Sequence, residues 1–184
     1  MRVLVVSDSH SRENCEYLYK LEQSDIAIHA GDSQLPFSSP ELKNYDVKVR
    51  GNCDYDRAFP VEDFINLDGM KTLVTHGHLH WVDATTESII NYAKSNNCQI
   101  VIHGHTHAAR AIYKDGVYVI NPGSTTQSRC NYPCSYMVLE LENGVVFVTL
   151  KNAKTFEIIE DKIRLGLKWE KKRMNLKKKQ VIII

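Results

Sequence analysis

The segment Ile100-Val101-Ile102-His103-Gly104-His105-Thr106-His107 joins a short apolar run directly to a cluster of histidines. The apolar run predicts a β-strand that is covered on both faces. Four earlier blocks also follow short apolar runs: Asp8-Ser9-His10, Gly31-Asp32, Gly51-Asn52-Cys53-Asp54 and His76-Gly77-His78. Functional residues of α/β proteins gather in the loops beyond the carboxyl ends of strands. We therefore expect the five blocks to converge on one site.

The first half of the chain alternates predicted strands and helices. Besides the segment above, strands are predicted at residues 2–6, 26–28 and 47–49, and helices at 11–23 and 83–96. Ser11 is the expected N-cap of the first helix. Residues 64–75 predict a β-hairpin that turns at Asp68-Gly69.

The part of the chain after His107 predicts antiparallel strands. Residues 109–113 and 117–120 flank Asp115-Gly116, and residues 136–141 and 145–150 flank Asn143-Gly144. The combined pattern predicts an α/β fold in which two mixed β-sheets pack as a sandwich flanked by helices. We assign residues 1–165 to this single domain and residues 166–184 to a basic C-terminal tail.

Composition sets limits on the partners of the chain. The 184 residues are 43% hydrophobic and carry a formal net charge of +1, which favours neither nucleic acid nor a membrane as partner. Residues Lys168 to Ile184 include seven Lys and Arg residues and one acidic residue. We expect this tail to be solvated, with attraction of nucleic acid or anionic lipid as the alternative. Its apolar end, Val181–Ile184, favours docking on the body or on a second subunit, and hence a dimer or higher homo-oligomer.

Two features predict a cytoplasmic protein without membrane association. The apolar run after Met1 is too short for a signal peptide or a membrane span. The five cysteines show no C-x-x-C spacing and are typical of reduced thiols.

The five polar blocks contain the donor types that hold divalent cations. Carboxylate oxygen, amide oxygen and imidazole nitrogen suit Mn, Fe, Co, Ni or Zn. Two cations about 3.5–4 Å apart need a bridging ligand, and a carboxylate can bridge them. The candidate metal ligands are Asp8, His10, Asp32, Asn52, His76, His105 and His107.

The ordered motif set D-x-H, G-D, G-N-x-D, G-H and G-H-x-H resembles that of the calcineurin-like metallophosphoesterase superfamily. The short chain, the Ser7-Asp8-Ser9-His10 opening and Asn121-Pro122-Gly123-Ser124 after the histidines are most similar to the small YfcE-type phosphodiesterases of bacteria and archaea. The resemblance covers roughly residues 1–150.

The resemblance implies a dinuclear metal site, with manganese as the favoured metal. Asp32 would bridge the two ions and a metal-bridging hydroxide would attack the phosphorus of a small phosphodiester substrate. The first ion would be held by Asp8, His10, Asp32 and His107, and the second by Asp32, Asn52, His76 and His105.

Several residues beside the ligands have roles that the motifs leave open. Many relatives have a histidine, used for transition-state stabilisation or leaving-group protonation, where this chain has Cys53. Asp54 and His78 are candidates either for an acid role or for support of the ligands. His29 and His103 are either supports or ordinary strand-end histidines, and we favour the second. The resemblance places residues 121–124 under the metal site, with backbone amides available to phosphate.

Two alternative functions remain at this point. Some superfamily members keep the fold, lose metal ligands and act as protein-interaction scaffolds, but here every ligand position holds a competent residue. A small nuclease recruited by the basic tail is the other alternative. It is not favoured, because the chain has no room for the extra domain of the larger nuclease relatives.

Overall fold

The computed structural model describes residues 1–11 and 14–165, which form two β-sheets and two α-helices. The strands are β1 (Arg2–Val6), β2 (Ile26–His29), β3 (Val47–Lys48), β4 (Glu62–Leu67), β5 (Met70–Thr75), β6 (Ile100–Ile102), β7 (Arg110–Lys114), β8 (Val117–Asn121), β9 (Ser135–Glu142), β10 (Val145–Asn152) and β11 (Ile158–Arg164). The helices are α1 (Asn14–Glu22) and α2 (Glu87–Ser95), with short 3-10 helices at Pro40–Leu42 and His78–His80.

Both sheets mix parallel and antiparallel pairs. The six-stranded sheet has the order β11-β10-β9-β1-β2-β3, in which β1, β2 and β3 are parallel and β9 runs antiparallel to β1. The five-stranded sheet has the order β4-β5-β6-β8-β7, in which β5, β6 and β8 are parallel and the two edge strands are antiparallel. The predicted α/β sandwich of two mixed sheets is confirmed.

The main core lies between the two sheets, and each helix covers an outer face. Val5 from the first sheet and Ile102 from the second belong to the central cluster. Leu18 of α1 packs with Leu4 on one outer face, and Ile90 of α2 belongs to the cluster on the other. Strands β1 and β6 are therefore buried on both sides, which explains their continuous apolar sequences.

The three predicted hairpins are confirmed. The turns at Asp68-Gly69, Asp115-Gly116 and Asn143-Gly144 join β4 to β5, β7 to β8 and β9 to β10. In each turn both residues have a positive φ, as in the turn type that matches the twist of paired strands.

Sequence periodicity locates both helices but not the last strand. The described part of helix α1 is Asn14–Glu22, inside the predicted range 11–23, and the Ser11 hydroxyl donates to the Gln34 carbonyl (3.1 Å). Helix α2 begins at Glu87 because the preceding residues form a turn in which the Ala84 N–H donates to the Trp81 carbonyl. Strand β11 is not predicted from sequence, since an edge strand with charged, exposed side chains lacks an apolar pattern.

The predicted basic tail and its apolar end, residues 166–184, lie outside the described residues. Within residues 1–11 and 14–165, no helix is both long and apolar enough to cross a membrane.

A buried carboxylate ties the end of α1 to the first sheet. Glu22 accepts hydrogen bonds from the Tyr136 hydroxyl (2.5 Å) and Lys151 Nζ (2.5 Å), and Arg2 Nη2 donates to its second oxygen (2.8 Å). Burial raises the pKa of Glu22, but these three partners outweigh it and hold the pKa below its ordinary value.

We expect Glu22→Gln to lower the free energy of unfolding at pH 7 by about 1–3 kcal/mol, because hydrogen bonds to an ionised group are lost. Since the folded pKa is depressed, the carboxylate stabilises the fold above the unfolded value of about 4.3. That contribution disappears as the pH falls through the folded pKa. Urea unfolding of both proteins between pH 7 and pH 3 should therefore give converging curves.

The control is Glu140→Gln, which alters a half-buried carboxylate that also pairs with Arg2 and with Lys162. Glu140→Gln should lower the free energy of unfolding by less than about 1 kcal/mol. Equal losses for the two variants would contradict the role given to Glu22.

Candidate metal centre

The loops after β1 and β2 run side by side and extend the parallel pairing beyond the strands. The Asp8 N–H donates to the Gly31 carbonyl (3.0 Å), and the His10 N–H donates to the Asp32 carbonyl (3.1 Å). These bonds bring Asp8, His10 and Asp32 to one edge of the first sheet. His76 follows β5 and His107 lies beyond β6, so the second sheet supplies the opposite side of the same site.

Five of the seven predicted ligands adopt a left-handed backbone conformation. The positive φ values are 54° for Asp8, 47° for His10, 55° for Asp32, 70° for His105 and 56° for His107. Left-handed backbone is disfavoured for residues with a side chain and persists where the surrounding structure enforces it, most often at functional sites.

Asp8, Asp32 and His76 form a buried cluster. Nδ1 of His76 lies 2.7 Å from the Ala30 carbonyl and donates to it, so Nε2 of the neutral ring carries the lone pair. That nitrogen lies 3.3 Å from Asp32 Oδ2 and 3.8 Å from Asp8 Oδ1. Nε2 of His76 and Oδ1 of Asp8 are buried and, among the described residues, neither makes a well-aligned hydrogen bond. Three electron-rich atoms thus face one another, an arrangement that fits a cation.

The electrostatics of the three groups agree with this geometry. Burial raises the pKa of Asp8, but His107 and His76 outweigh it and lower the pKa below its ordinary value. Burial also opposes ionisation of Asp32, yet the contacts with His76 and Cys53 hold its pKa well below the usual range. Burial lowers the pKa of His76, but the two carboxylates outweigh it and the net shift is upward. The site therefore stabilises positive charge between two ionised carboxylates.

A second cluster joins Asp8 to His10 and His107. Nε2 of His107 lies 3.2 Å from Asp8 Oδ1 and 3.3 Å from Nε2 of His10. Nδ1 of His107 donates to the Gln127 carbonyl (2.7 Å), which leaves Nε2 of the neutral ring as the ligand atom. Asp8 therefore faces two clusters that can each hold a metal ion.

Cys53 forms a third cluster with His10 and Asp32, and sequence reasoning did not include it among the ligands. Its N–H donates to Asp32 Oδ1 (2.8 Å). Burial, followed by the Asp32 carboxylate, raises the pKa of the thiol to about 11. Cys53 is therefore a weak acid and a poor replacement for the histidine that many relatives have at this position.

Two further predicted ligands border these clusters, which consist of His, Cys and acidic residues. Asn52 is exposed, and its Nδ2 donates to Cys53 Sγ (3.3 Å). The His105 N–H donates to Asp8 Oδ2 (3.1 Å), and its ring centroid lies 5.2 Å from that of His76. Nε2 of His105 is instead 2.7 Å from Oδ2 of Asp83, a residue that the motifs do not mark. Both residues border the clusters and stay predicted ligands.

Asp54 lies beneath the site and supports its loops. Its Oδ2 accepts hydrogen bonds from the N–H groups of Asp32 and Gly51, both at 2.8 Å. Its Oδ1 accepts from the Gln34 N–H (2.7 Å) and the Ser33 hydroxyl (3.1 Å). Of the two roles predicted for Asp54, these four bonds favour support over proton donation.

His78 borders the histidine cluster. Its ring centroid lies 5.5 Å from that of His76 and 6.1 Å from that of His105. Burial, and then the neighbouring His76 and His105, lower the pKa of His78. Its Nδ1 is buried and has no hydrogen-bond partner within the part of the chain that the structure describes. An acid role for His78 stays a prediction.

Other buried groups hold the ligand loops. His29 Nε2 lies 2.9 Å from the Ser9 hydroxyl, in the loop between Asp8 and His10, a contact that favours the supporting role for His29. Asn121 Nδ2 donates to the Gly104 carbonyl (2.9 Å), and the Ser124 hydroxyl donates to the Asp8 carbonyl (2.7 Å). Asn121 and Ser124 thus contact the loops that carry His105 and Asp8, and the position of residues 121–124 under a metal site stays a prediction. His103, also buried, contacts the Gly104 carbonyl through Nδ1 (3.0 Å).

Comparison with known proteins agrees with this geometry. A family model described as a calcineurin-like phosphoesterase superfamily domain matches residues 1–144. The chain belongs to the calcineurin-like phosphoesterase superfamily. The clusters described above supply residues that can hold metal ions.

Two relatives within the calcineurin-like phosphoesterases are similar over most of their length. The probable metallophosphoesterase YsnB of Bacillus subtilis is 35% identical over 170 residues, which cover 91% of this chain and 100% of that protein. Phosphodiesterase MJ0936 of Methanocaldococcus jannaschii is 30% identical over 146 residues, which cover 67% of this chain and 83% of that protein.

Solved structures share the calcineurin-like fold. A predicted phosphoesterase from Streptococcus pneumoniae superposes with a TM-score of 0.80 at 27% identity, covering 85% of this chain and 91% of that one. Vps29 of Entamoeba histolytica, solved in complex with Zn²⁺, gives a TM-score of 0.73 at 22% identity, covering 89% and 99%. At that identity the second similarity concerns the fold alone.

We expect Asp54→Asn to lower the free energy of unfolding by about 1–3 kcal/mol, because one amide group cannot accept all four hydrogen bonds. Asp56→Asn is the control, since among the described residues Asp56 accepts two hydrogen bonds, from the N–H groups of Phe37 and Ala58, at a more exposed position. In urea denaturation, the free energy of unfolding should fall less for Asp56→Asn than for Asp54→Asn. Unchanged stability of Asp54→Asn, together with lost activity, would instead support the acid role.

We expect Gly104→Ala to weaken Mn²⁺ binding by at least about tenfold, as disturbance of groups around a metal site does. A Cβ at this position would contact the Ser7 hydroxyl and lie 2.6 Å from Asp8 Oδ2, displacing the carboxylate. Isothermal titration of metal-stripped protein measures the affinity. Gly144→Ala is the control, because a Cβ there meets open space in the strained β9–β10 turn. Equal Mn²⁺ affinities for the two variants would contradict the steric argument.

Proposed function

We propose that this chain is a metal-dependent phosphodiesterase that uses two divalent cations. The proposal rests on one observation. The Asp8 and Asp32 carboxylates and the Nε2 atoms of His76 and His107 lie close together in a buried cluster. When bound, such cations lower the pKa of water and stabilise negative charge on phosphate oxygens.

The residues divide naturally into two sets of ligands. Asp8, His10 and His107 would hold one ion, and His76 would hold the other together with Asn52 and His105. Asp32 belongs to clusters with His10 and with His76, and the family resemblance makes its carboxylate, not that of Asp8, the candidate bridge.

The charge of the site suits an anionic substrate. Two divalent ions bring four positive charges, and Asp8 and Asp32 compensate two of them. The remaining positive charge attracts a phosphodiester monoanion and a hydroxide. The histidine ligands act as neutral imidazoles, so the metal-loaded site keeps this charge at neutral pH.

The name of one relative favours a diester over a monoester, and the groups beside the ligands favour a leaving group of low pKa. The relative MJ0936 is named a phosphodiesterase. The thiol of Cys53 is a weak acid and Asp54 is occupied by four hydrogen bonds, so no strong proton donor is evident at these positions. Leaving groups of low pKa, such as phenolates, need no acid and should react fastest.

The donor set is consistent with several metals. Mixed nitrogen and oxygen ligands suit Mn, Fe, Co, Ni or Zn. We propose manganese as the working metal, following the family resemblance. A small phosphodiester is the proposed substrate.

We expect metal-stripped protein to be inactive and added Mn²⁺ to restore hydrolysis of bis(p-nitrophenyl) phosphate. Hydrolysis of p-nitrophenyl phosphate, the matching monoester, should be slower. Release of p-nitrophenolate is followed by its absorbance. Activity on neither ester with any of the five metals, in protein that retains its circular dichroism spectrum, would favour a non-catalytic scaffold.

We expect Asp32→Ala to reduce diester hydrolysis by more than about 10³-fold while the fold is retained, because both ions would lose a shared ligand. Asp161→Ala is the control, since Asp161 is an exposed acid on the edge strand β11. Parental activity of Asp32→Ala would exclude Asp32 as the bridge.

A further inference from the structure

Asp83 lies on the loop between the 3-10 helix His78–His80 and α2, and it contacts a predicted ligand. Its Oδ2 is 2.7 Å from Nε2 of His105. The loop has a fixed position, because the neighbouring Val82 side chain is buried and belongs to the cluster under α2. Motif reasoning assigns no role to Asp83.

The contact determines which nitrogen of His105 can bind a metal. An ionised carboxylate only accepts hydrogen bonds, so Nε2 of His105 must carry the proton that lies between them. In the neutral ring the lone pair is then on Nδ1. His76 and His107 show the opposite arrangement, since their Nδ1 atoms donate to the carbonyls of Ala30 and Gln127 and their Nε2 atoms face the carboxylates.

The backbone places the His105 ring beside the buried cluster. The His105 N–H donates to Asp8 Oδ2 (3.1 Å), and the ring centroids of His105 and His76 are 5.2 Å apart. With Nε2 engaged by Asp83, Nδ1 is the ring atom that remains for a cation.

We propose that Asp83 is a positioning residue that fixes the tautomer of His105, so that His105 binds the second metal ion through Nδ1. This inference rests on the proposed dinuclear function. A carboxylate that accepts the other ring N–H of a ligating histidine orients the ring and raises its basicity. Asp83 thereby controls occupancy of the second metal position without touching the metal.

The expected effect is moderate because the pair is partly open to solvent. The Asp83 side chain is 62% exposed and that of His105 is 22% exposed. Supporting residues of metal sites typically contribute 10–100-fold in affinity. Solvent screening places Asp83 at the lower end, so we expect Asp83→Ala to weaken binding of the second ion by about tenfold and that of the first by less than about twofold.

The first test is the tautomer itself, observed by long-range ¹H–¹⁵N NMR of histidine side chains in metal-stripped protein. We expect Nε2 of His105 to be protonated, and Zn²⁺, a diamagnetic probe, to shift Nδ1. His105→Gln identifies the His105 signals. Asp83→Ala should give a mixture of the two tautomers. A Zn²⁺-induced shift at Nε2 of His105 in the parent protein would overturn the proposal.

The second test compares Zn²⁺ affinity and stoichiometry by isothermal titration. Asp83→Ala should lose affinity at one of two sites, and Asp83→Glu should recover part of it. Glu87→Ala is the control, because it removes an exposed carboxylate that pairs with Lys114 at the start of α2. Equal losses of Zn²⁺ affinity in Asp83→Ala and Glu87→Ala would show that removal of any nearby negative charge weakens binding. That result would overturn the positioning role of Asp83.

The outcomes separate this inference from the proposed function. Absence of Zn²⁺ and Mn²⁺ binding by the parent protein would exclude the dinuclear function, together with the inference that rests on it. Binding of two ions with full affinity in Asp83→Ala would exclude only the role of Asp83.

Discussion

The burial of two carboxylates at one point is the constraint on which this structure depends. Asp8 and Asp32 are almost fully buried, and removing an ionised carboxylate from water is costly unless it is paired and hydrogen-bonded. The protein compensates in part with N–H donors, such as that of Cys53 to Asp32 and that of His105 to Asp8. The remaining oxygens face imidazole nitrogens, which makes the site selective for positive charge.

Much of the surrounding architecture holds these carboxylates in place. The loops after β1 and β2 continue to pair beyond their strands. Asp54 accepts hydrogen bonds from N–H groups of both the Asp32 loop and the Gly51 turn. Ser124 and Asn121 brace the loops that carry Asp8 and His105 from below. The strained backbone at the ligands persists because this network enforces it.

The fold and most of the candidate site could be predicted from the sequence, because each ligand block follows an apolar run that becomes a strand. Periodicity could not reveal β11, whose pattern is charged, or Asp83, which falls in a stretch with helical spacing. The supporting role of Asp54 and the position of Cys53 beside His10 depend on contacts between loops distant in sequence. Sequence motifs identify residue types but do not determine which partner each one contacts.

The candidate ligands come from both sheets, since Asp8, His10 and Asp32 follow strands of one and His76 and His107 follow strands of the other. A cation held by both sets would act as a cross-brace that joins the two halves of the sandwich. Metal binding and folding would then be thermodynamically linked, with stability rising by RT ln(1 + [M]/Kd). On this basis, the melting temperature of the protein would report the free metal concentration around it.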